Sequence, residues 1–126
     1  MNLNNPFNIR KAPANHWRGS FPTLNRYFER FRKSVYSCRA FIIIIATYRL
    51  KYNITTIYDI IHRYAPSVEN DTNAYIRFVC NRMKCLPDTE VNHDNLFEFA
   101  KAVALMESNY ELTKEEYAEA LSMTNY

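Results

Sequence analysis

A single glycine among 126 residues, Gly19, is the sharpest absence in this chain. Tight hairpins and phosphate-cradling loops both draw on glycine for left-handed or close-approach backbone. A hairpin-rich sheet and a glycine-rich nucleotide loop are therefore disfavoured, and helices joined by Asn, Asp and Pro turns are expected instead. Long apolar runs are missing too. The strongest, Ala40 to Tyr48 (AFIIIIATY), is bracketed by Arg39 and Arg49; it falls well short of the roughly 20 residues that span a bilayer as a helix, so it belongs to a core. Cysteine is sparse and odd in number, with Cys38, Cys80 and Cys85, and reduced thiols in a cytoplasmic compartment are expected. The N-terminus, MNLNNPFNIRK, has no charged region leading into an apolar stretch, so no signal peptide is expected. Acidic side chains are nearly lacking from the first half. Up to Arg63 there are 11 Lys or Arg against 2 acids, a balance of +9, and after it 5 against 11, a balance of −6. A basic half of this kind suits phosphate, an acidic surface or an anionic polymer, while complementarity within one chain accounts for the same pattern without a partner.

What is present is the composition of one soluble globular domain. Hydrophobic residues make up 48% of the chain and charged ones 23%, with ten tyrosines and eight phenylalanines, and the length suffices to bury a core. Thr55 to Tyr75 organises the rest. Ile57, Ile60, Ile61 and Tyr64 fall at i, i+3, i+4 and i+7, one buried stripe, with Asp59, His62 and Arg63 on the other face and Pro66 as the stop. Asp71 or Thr72 then caps a helix to about Lys84, with Tyr75, Ile76, Val79 and Met83 inward. Ahead of these, Ser34 is placed to cap a helix from Val35 to about Tyr52 that buries Cys38, Phe41, Ile42, Ile45 and Tyr48 and is broken by Asn53. Asp94 or Asn95 opens a further helix carrying Leu96, Phe99, Ala100, Val103 and Met106. Thr113 to Glu116 (TKEE) is a capping box for a last helix ending near Leu121. Residues 1–23, with Pro6, Pro13 and Pro22 among asparagines, predict an irregular arm pinned by Phe7, Ile9, Trp17 and Phe21. Leu24, Tyr27, Phe28 and Phe31 are spaced for a helix, yet Phe28 and Phe31 also fit an extended piece. The expected fold is all-α: one compact domain of about five helices with an irregular N-terminal arm.

Asn5, Pro6, Asn8, Ile9 and Arg10, then Trp17 and Gly19, then Phe28, Phe31, Tyr36, Arg39 and Ala40, with a tyrosine at Tyr48, follow in an order that resembles a poorly characterised family of bacteriophage and prophage virion structural proteins. The most distinctive part covers Thr56, Ile57, Ile60, Ile61, Arg63, Tyr64, Ala65, Pro66, Glu69, Asn70, Asp71, Thr72 and Tyr75. The likeness spans roughly residues 5–80. It departs at Ser37, where the family pattern has glycine, at Tyr64, where it has tryptophan, and at Ser67, where it has a second proline. The resemblance implies a phage or prophage context, with synthesis in the host cytoplasm and then residence in the virion.

Four groups of residues carry possible chemistry. Glu69, just after Pro66, with Asp71 as partner, is placed as the catalytic pair of a peptidoglycan-cleaving glycosidase, muramidase or lytic transglycosylase, with Glu69 as general acid. The same residues, with Asn70 and Thr72, are also those that cap a helix N-terminus, and capping accounts for all four without a ligand. Glu107 before Ser108 faintly resembles the glutamate–serine pair of lytic transglycosylases, but a solvated glutamate at a helix end explains it better. Cys80, Cys85 and His93 could form a metal site only on paper: the cysteine spacing sends the thiols to diverging helix faces, so no metal and no cofactor are expected. Arg10, Lys11, Arg18, Arg26, Arg30, Arg32, Lys33 and Arg39, interleaved with Trp17, Tyr27, Phe28 and Tyr36, form a basic aromatic region.

Such a mixture suits stacked nucleic acid, a wall polymer or an acidic neighbour in a virion, and equally a solvated basic face over an aromatic core. No sequence-reading motif accompanies it. The binding set read from the sequence is Arg10, Trp17, Arg18, Arg30, Arg39, Arg63, Tyr64 and Asn70. The leading expectation is a virion-associated structural or binding protein with the basic half as its contact surface and other virion proteins or cell-wall polymer as partners. A wall-degrading glycosidase is the alternative, and non-specific nucleic-acid binding a further one.

Overall fold

The computed structural model describes residues 2–12, 14–68 and 70–126. After an N-terminal arm come five helices: α1 (Ser34–Tyr52), α2 (Ile57–Tyr64), α3 (Thr72–Met83), α4 (Leu96–Ser108) and α5 (Lys114–Ser122). α1 packs on α5 and α4, and α3 packs on α4 and α2. Ser34 meets Glu116 and Arg39 meets Met123, so α5 runs along α1 in the same direction. α4 runs the opposite way, since Tyr110, just beyond its end, returns to Ser34. Among the described residues no helix is long and apolar enough to cross a membrane.

The aromatic ring of Phe41 is the centre of the core. Phe7 stacks on it at 4.6 Å, Phe99 lies 6.0 Å away, and Tyr64 meets it edge-on at 5.5 Å. The arm, α1, α2 and α4 are thus all fixed against one side chain. Edge and offset contacts of this kind add to the burial of the rings themselves.

Local chemistry sets most helix limits. Thr56 accepts from the Asp59 N–H at 3.1 Å and Asp71 from the Ala74 N–H at 3.0 Å, both side chains satisfying orphan donors of a first turn. Asn53, Lys84 and Asn109 close α1, α3 and α4 in the left-handed conformation, with φ of 54°, 55° and 50°. Ser34 departs from its expected role. Lys33 occupies the cap position of α1 without a side-chain bond, and the Ser34 hydroxyl donates instead to Glu116 and contacts Tyr110 at 3.1 Å. Thr113 caps α5 through the Glu116 N–H at 3.1 Å, but the Glu116 carboxylate turns to Ser34 and Tyr110 rather than back to Thr113. Met106, expected inward, is exposed on α4, where Ala102 and Ala104 are buried instead.

The arm is held by asparagine side chains rather than by a sheet. Asn5 donates to the Ile9 and Glu29 carbonyls at 3.0 and 2.9 Å and accepts from the Ile9 N–H at 2.9 Å. Asn4 donates to the carbonyls of Phe31 and Arg32, each at 3.1 Å. The helical spacing at Leu24 to Phe31 is not realised. That segment is extended, bridging Arg10 to Phe28 and Ser20 to Phe31, because the Asn25 side chain accepts from the N–H groups of Tyr27 and Phe28 at 2.9 Å and turns the chain.

Candidate functional site

The corner after α2 folds back on itself. The Thr72 hydroxyl donates to the Ala65 carbonyl at 2.7 Å, and the Asn70 N–H and side-chain amide donate to the Pro66 carbonyl at 3.1 and 3.4 Å. Asp71, with its carboxylate on the Ala74 N–H, acts here as a helix cap. Glu69 lies outside the described residues. Tyr64 points the other way: its phenol donates to the Phe7 carbonyl at 2.5 Å, and burial holds its pKa well above the usual value, with the Glu107 carboxylate adding to the effect.

Glu107 is not the solvated side chain expected from the sequence. It is half-buried; one carboxylate oxygen accepts from the Asn8 amide at 2.9 Å, the other from the Tyr75 phenol at 2.8 Å, and the Asn8 amide also reaches the Glu107 carbonyl at 3.2 Å. A carboxylate in the last turn of a helix faces the negative end of the dipole, and that turn of α4 holds no basic residue. The two donors offset that placement and tie the arm to α3 and α4. Burial first, and then the neighbouring carboxylate, push the Tyr75 pKa upward.

The basic half presents its guanidinium groups on aromatic rings. Arg30 lies 4.2 Å and Arg32 5.8 Å from the centroid of Phe21, Arg10 lies 5.6 Å from that of Phe28, and Arg63 sits 4.0 Å over Tyr52 and 5.4 Å from Tyr48. Each contact is attractive through the ring quadrupole and leaves the charge in place. Among the described residues one ion pair is formed, Arg49 to Glu90 at 3.9 Å. Arg39 donates to the Met123 carbonyl at 3.1 Å, and burial together with the charge of Arg18 lowers its pKa. Arg18 itself is exposed.

Trp17 is half-buried as a pin of the arm, and its indole N–H is enclosed with no acceptor among the described residues, as is the Nε of Arg30. Two residues on, Gly19 has φ +80°, and a Cβ there would lie 2.2 Å from the Tyr36 ring. The close approach that uses this chain's one glycine is therefore between arm and α1. Ser37, standing where the family pattern has glycine, is fully buried and donates to the Ser34 carbonyl at 2.7 Å.

The cysteines differ from expectation in geometry. Lys84 reverses the chain, so that the Cys85 N–H donates to the Cys80 carbonyl at 3.1 Å and the two thiols are neighbours instead of diverging, the Cys85 thiol adding to the burial that raises the Cys80 pKa. Among the described residues, no three His, Cys, Asp or Glu side chains are grouped so as to hold a metal. The structure thus brings together Arg10, Arg30 and the arm's aromatic rings, and separately Tyr64, Glu107, Tyr75 and Asn8. Of the second group, Asn8 carried no role in the sequence beyond a motif match, and Tyr75 none beyond that match and an inward position on its helix. No established protein-family profile matches the chain. A curated relative is Protein P5 of Pseudoalteromonas phage PM2, 35% identical over 108 residues that cover 83% of this chain and 68% of that protein.

Proposed function

Because the chain belongs to the family of Protein P5 of Pseudoalteromonas phage PM2, and so is a phage-associated protein, we propose that it is a virion component that works by binding, with the arginine–aromatic face of its first half as the contact surface. The observation that carries this reading is the seating of Arg30, Arg32 and Arg63 on aromatic rings while one ion pair joins the described residues of the two halves. Rings fix the guanidinium planes without neutralising them, which leaves a preorganised cationic surface for an acidic face of a virion protein. Tyr64, bonded to Phe7, and Thr72, bonded to Ala65, are the pivot that holds the arm and the start of α3. The Asp71 carboxylate is engaged by a backbone N–H, so the glycosidase alternative has no observation in its favour.

The test is the copy number of the protein in purified particles when Arg18, Arg26 and Arg32, all exposed, are changed together to Glu. Incorporation is expected to fall by about tenfold or more, in keeping with the loss of several contact-surface charges, at an unchanged melting temperature. Normal incorporation of the variant would overturn the reading. So would a wild-type protein absent from particles but bound to DNA or to peptidoglycan.

A further inference from the structure

We propose that a partner of the basic face is a second copy of this chain, the turn Pro22–Tyr27 of one copy seating in the apolar groove at the far end of α1 of the next. This rests on the contact-surface reading and names one occupant for it. The turn is built to protrude. Leu24 is fully exposed, at 104% of its reference area, and Tyr27 is 59% exposed. Neither is loose: Asn25 accepts from Tyr27 and Phe28 at 2.9 Å, Thr23 accepts from the Asn25 N–H at 3.1 Å, and Lys11 donates to the Thr23 carbonyl at 3.0 Å. A braced turn has already lost the freedom that binding would otherwise remove. It holds out one aliphatic and one aromatic side chain with the exposed cation Arg26 between them.

The matching surface lies between α1 and the start of α4. A groove of about 370 Å³ runs between Ile42, Ile45 and Leu50 of α1 and Val91, Leu96 and Tyr126. The stretch from Asp88 to Glu98, which supplies one wall, carries Asp88, Glu90, Asp94 and Glu98 and no Lys or Arg, and all four acids are exposed. Arg49, facing it from α1, is paired to Glu90. The charge order is the complement of the turn, apolar centre against apolar centre and Arg26 against carboxylates. No residue of the arm lines the groove. Such a contact is heterologous, joining unlike patches, and it propagates into a ring or an open array.

The test is sedimentation velocity of the full chain over a concentration series at low and high salt. The mass-average is expected to grow with concentration and to shrink with salt. Leu24→Asp and Leu50→Lys, both at exposed positions, are each expected to weaken self-association by about tenfold or more with melting temperature unchanged. Mixed together they are expected to form a one-to-one dimer that grows no further, since only the turn of the Leu50 variant and the groove of the Leu24 variant remain. A wild-type chain monomeric throughout, a variant that assembles like wild type, or a mixture that stays monomeric would each overturn the proposal. If a monomeric wild-type chain is nevertheless incorporated normally into particles, this inference fails alone and the contact-surface reading stands.

Discussion

The phenol of Tyr64 donates to the carbonyl oxygen of Phe7 at 2.5 Å, while the ring of Phe7 stacks on Phe41 and the ring of Tyr64 meets Phe41 edge-on. Three side chains from the arm, α1 and α2 are thereby closed into one unit. Tyr64→Phe removes only the donor and keeps the ring in place, so no cavity arises. The cost is that of a buried carbonyl losing its partner, about 1–3 kcal/mol. A fall of that size in unfolding free energy, read from urea midpoints at constant slope, is expected. A change too small to resolve would show that the hydrogen bond contributes nothing net.

A second tie is made by Glu107, which reaches residues of two other elements. With Asn8 and Tyr75 as its donors, Glu107→Ala takes the acceptor from the Tyr75 phenol and leaves the Asn8 amide only the backbone carbonyl of residue 107, and a loss of about 2–3 kcal/mol is expected for hydrogen bonds to a charged group. Asn8→Ala and Glu107→Ala share one interaction, so their effects are expected not to add. A double-mutant cycle should return a coupling of about 0.5–3 kcal/mol. Additive losses would mean that the arm is held independently of the helices.

How much of this was legible follows from the range of each interaction. The stripe Ile57, Ile60, Ile61 and the cap Thr113 act within a turn of helix, and the sequence displays them directly; the cap of α3 was narrowed to Asp71 or Thr72, and Asp71 holds it. The charge difference between the halves is equally plain. Leu24 to Phe31 misled because helical spacing is only permissive; the Asn25 side chain offered the backbone a competing turn. Glu107 and Asn8 stand 99 positions apart, and no local pattern marks such a pair. The pairing of Arg30 with Phe21 was hidden for the same reason: it depends on the Ser20–Phe31 bridge aligning two extended pieces. Glu69, the carboxylate singled out by its neighbours in sequence, falls outside the described residues.

Gly19 supports a prediction with two separable parts. Its φ of +80° disfavours any side chain, and a Cβ would overlap the Tyr36 ring at 2.2 Å. Backbone strain of this kind is worth about 1–3 kcal/mol, and the overlap adds to it. Gly19→Ala is therefore expected to be among the more destabilising changes in the arm. Pairing it with Tyr36→Ala removes the overlap and leaves the strain, so the double variant should lose less than the sum of the two. Strict additivity, measured by thermal melting, would refute the close approach.

Stability should fall on the alkaline side, and the sign follows from which state holds its protons. Burial raises the pKa of Tyr64 and Tyr75, with the Glu107 charge adding to both; it raises that of Cys38, and it pushes Cys80 up to about 11. In the unfolded chain these groups ionise at about 8.5 for cysteine and 10 for tyrosine. Between those values and the raised ones, the folded chain keeps protons that the unfolded chain has released. The stabilisation is thus complete below about pH 8.5 and is lost as pH rises through the folded values, by about 1.4 kcal/mol per pH unit for each group in that window. Urea unfolding from neutral pH to pH 11 should show a decline that begins with the thiols and steepens near pH 10 with the phenols. Tyr75→Phe, although less stable at neutral pH, should lose stability less steeply above pH 10 by the share of one group. An unchanged slope in that variant would mean that Tyr75 ionises in the folded chain as it does in the unfolded one, and that its bond to Glu107 does not hold the proton.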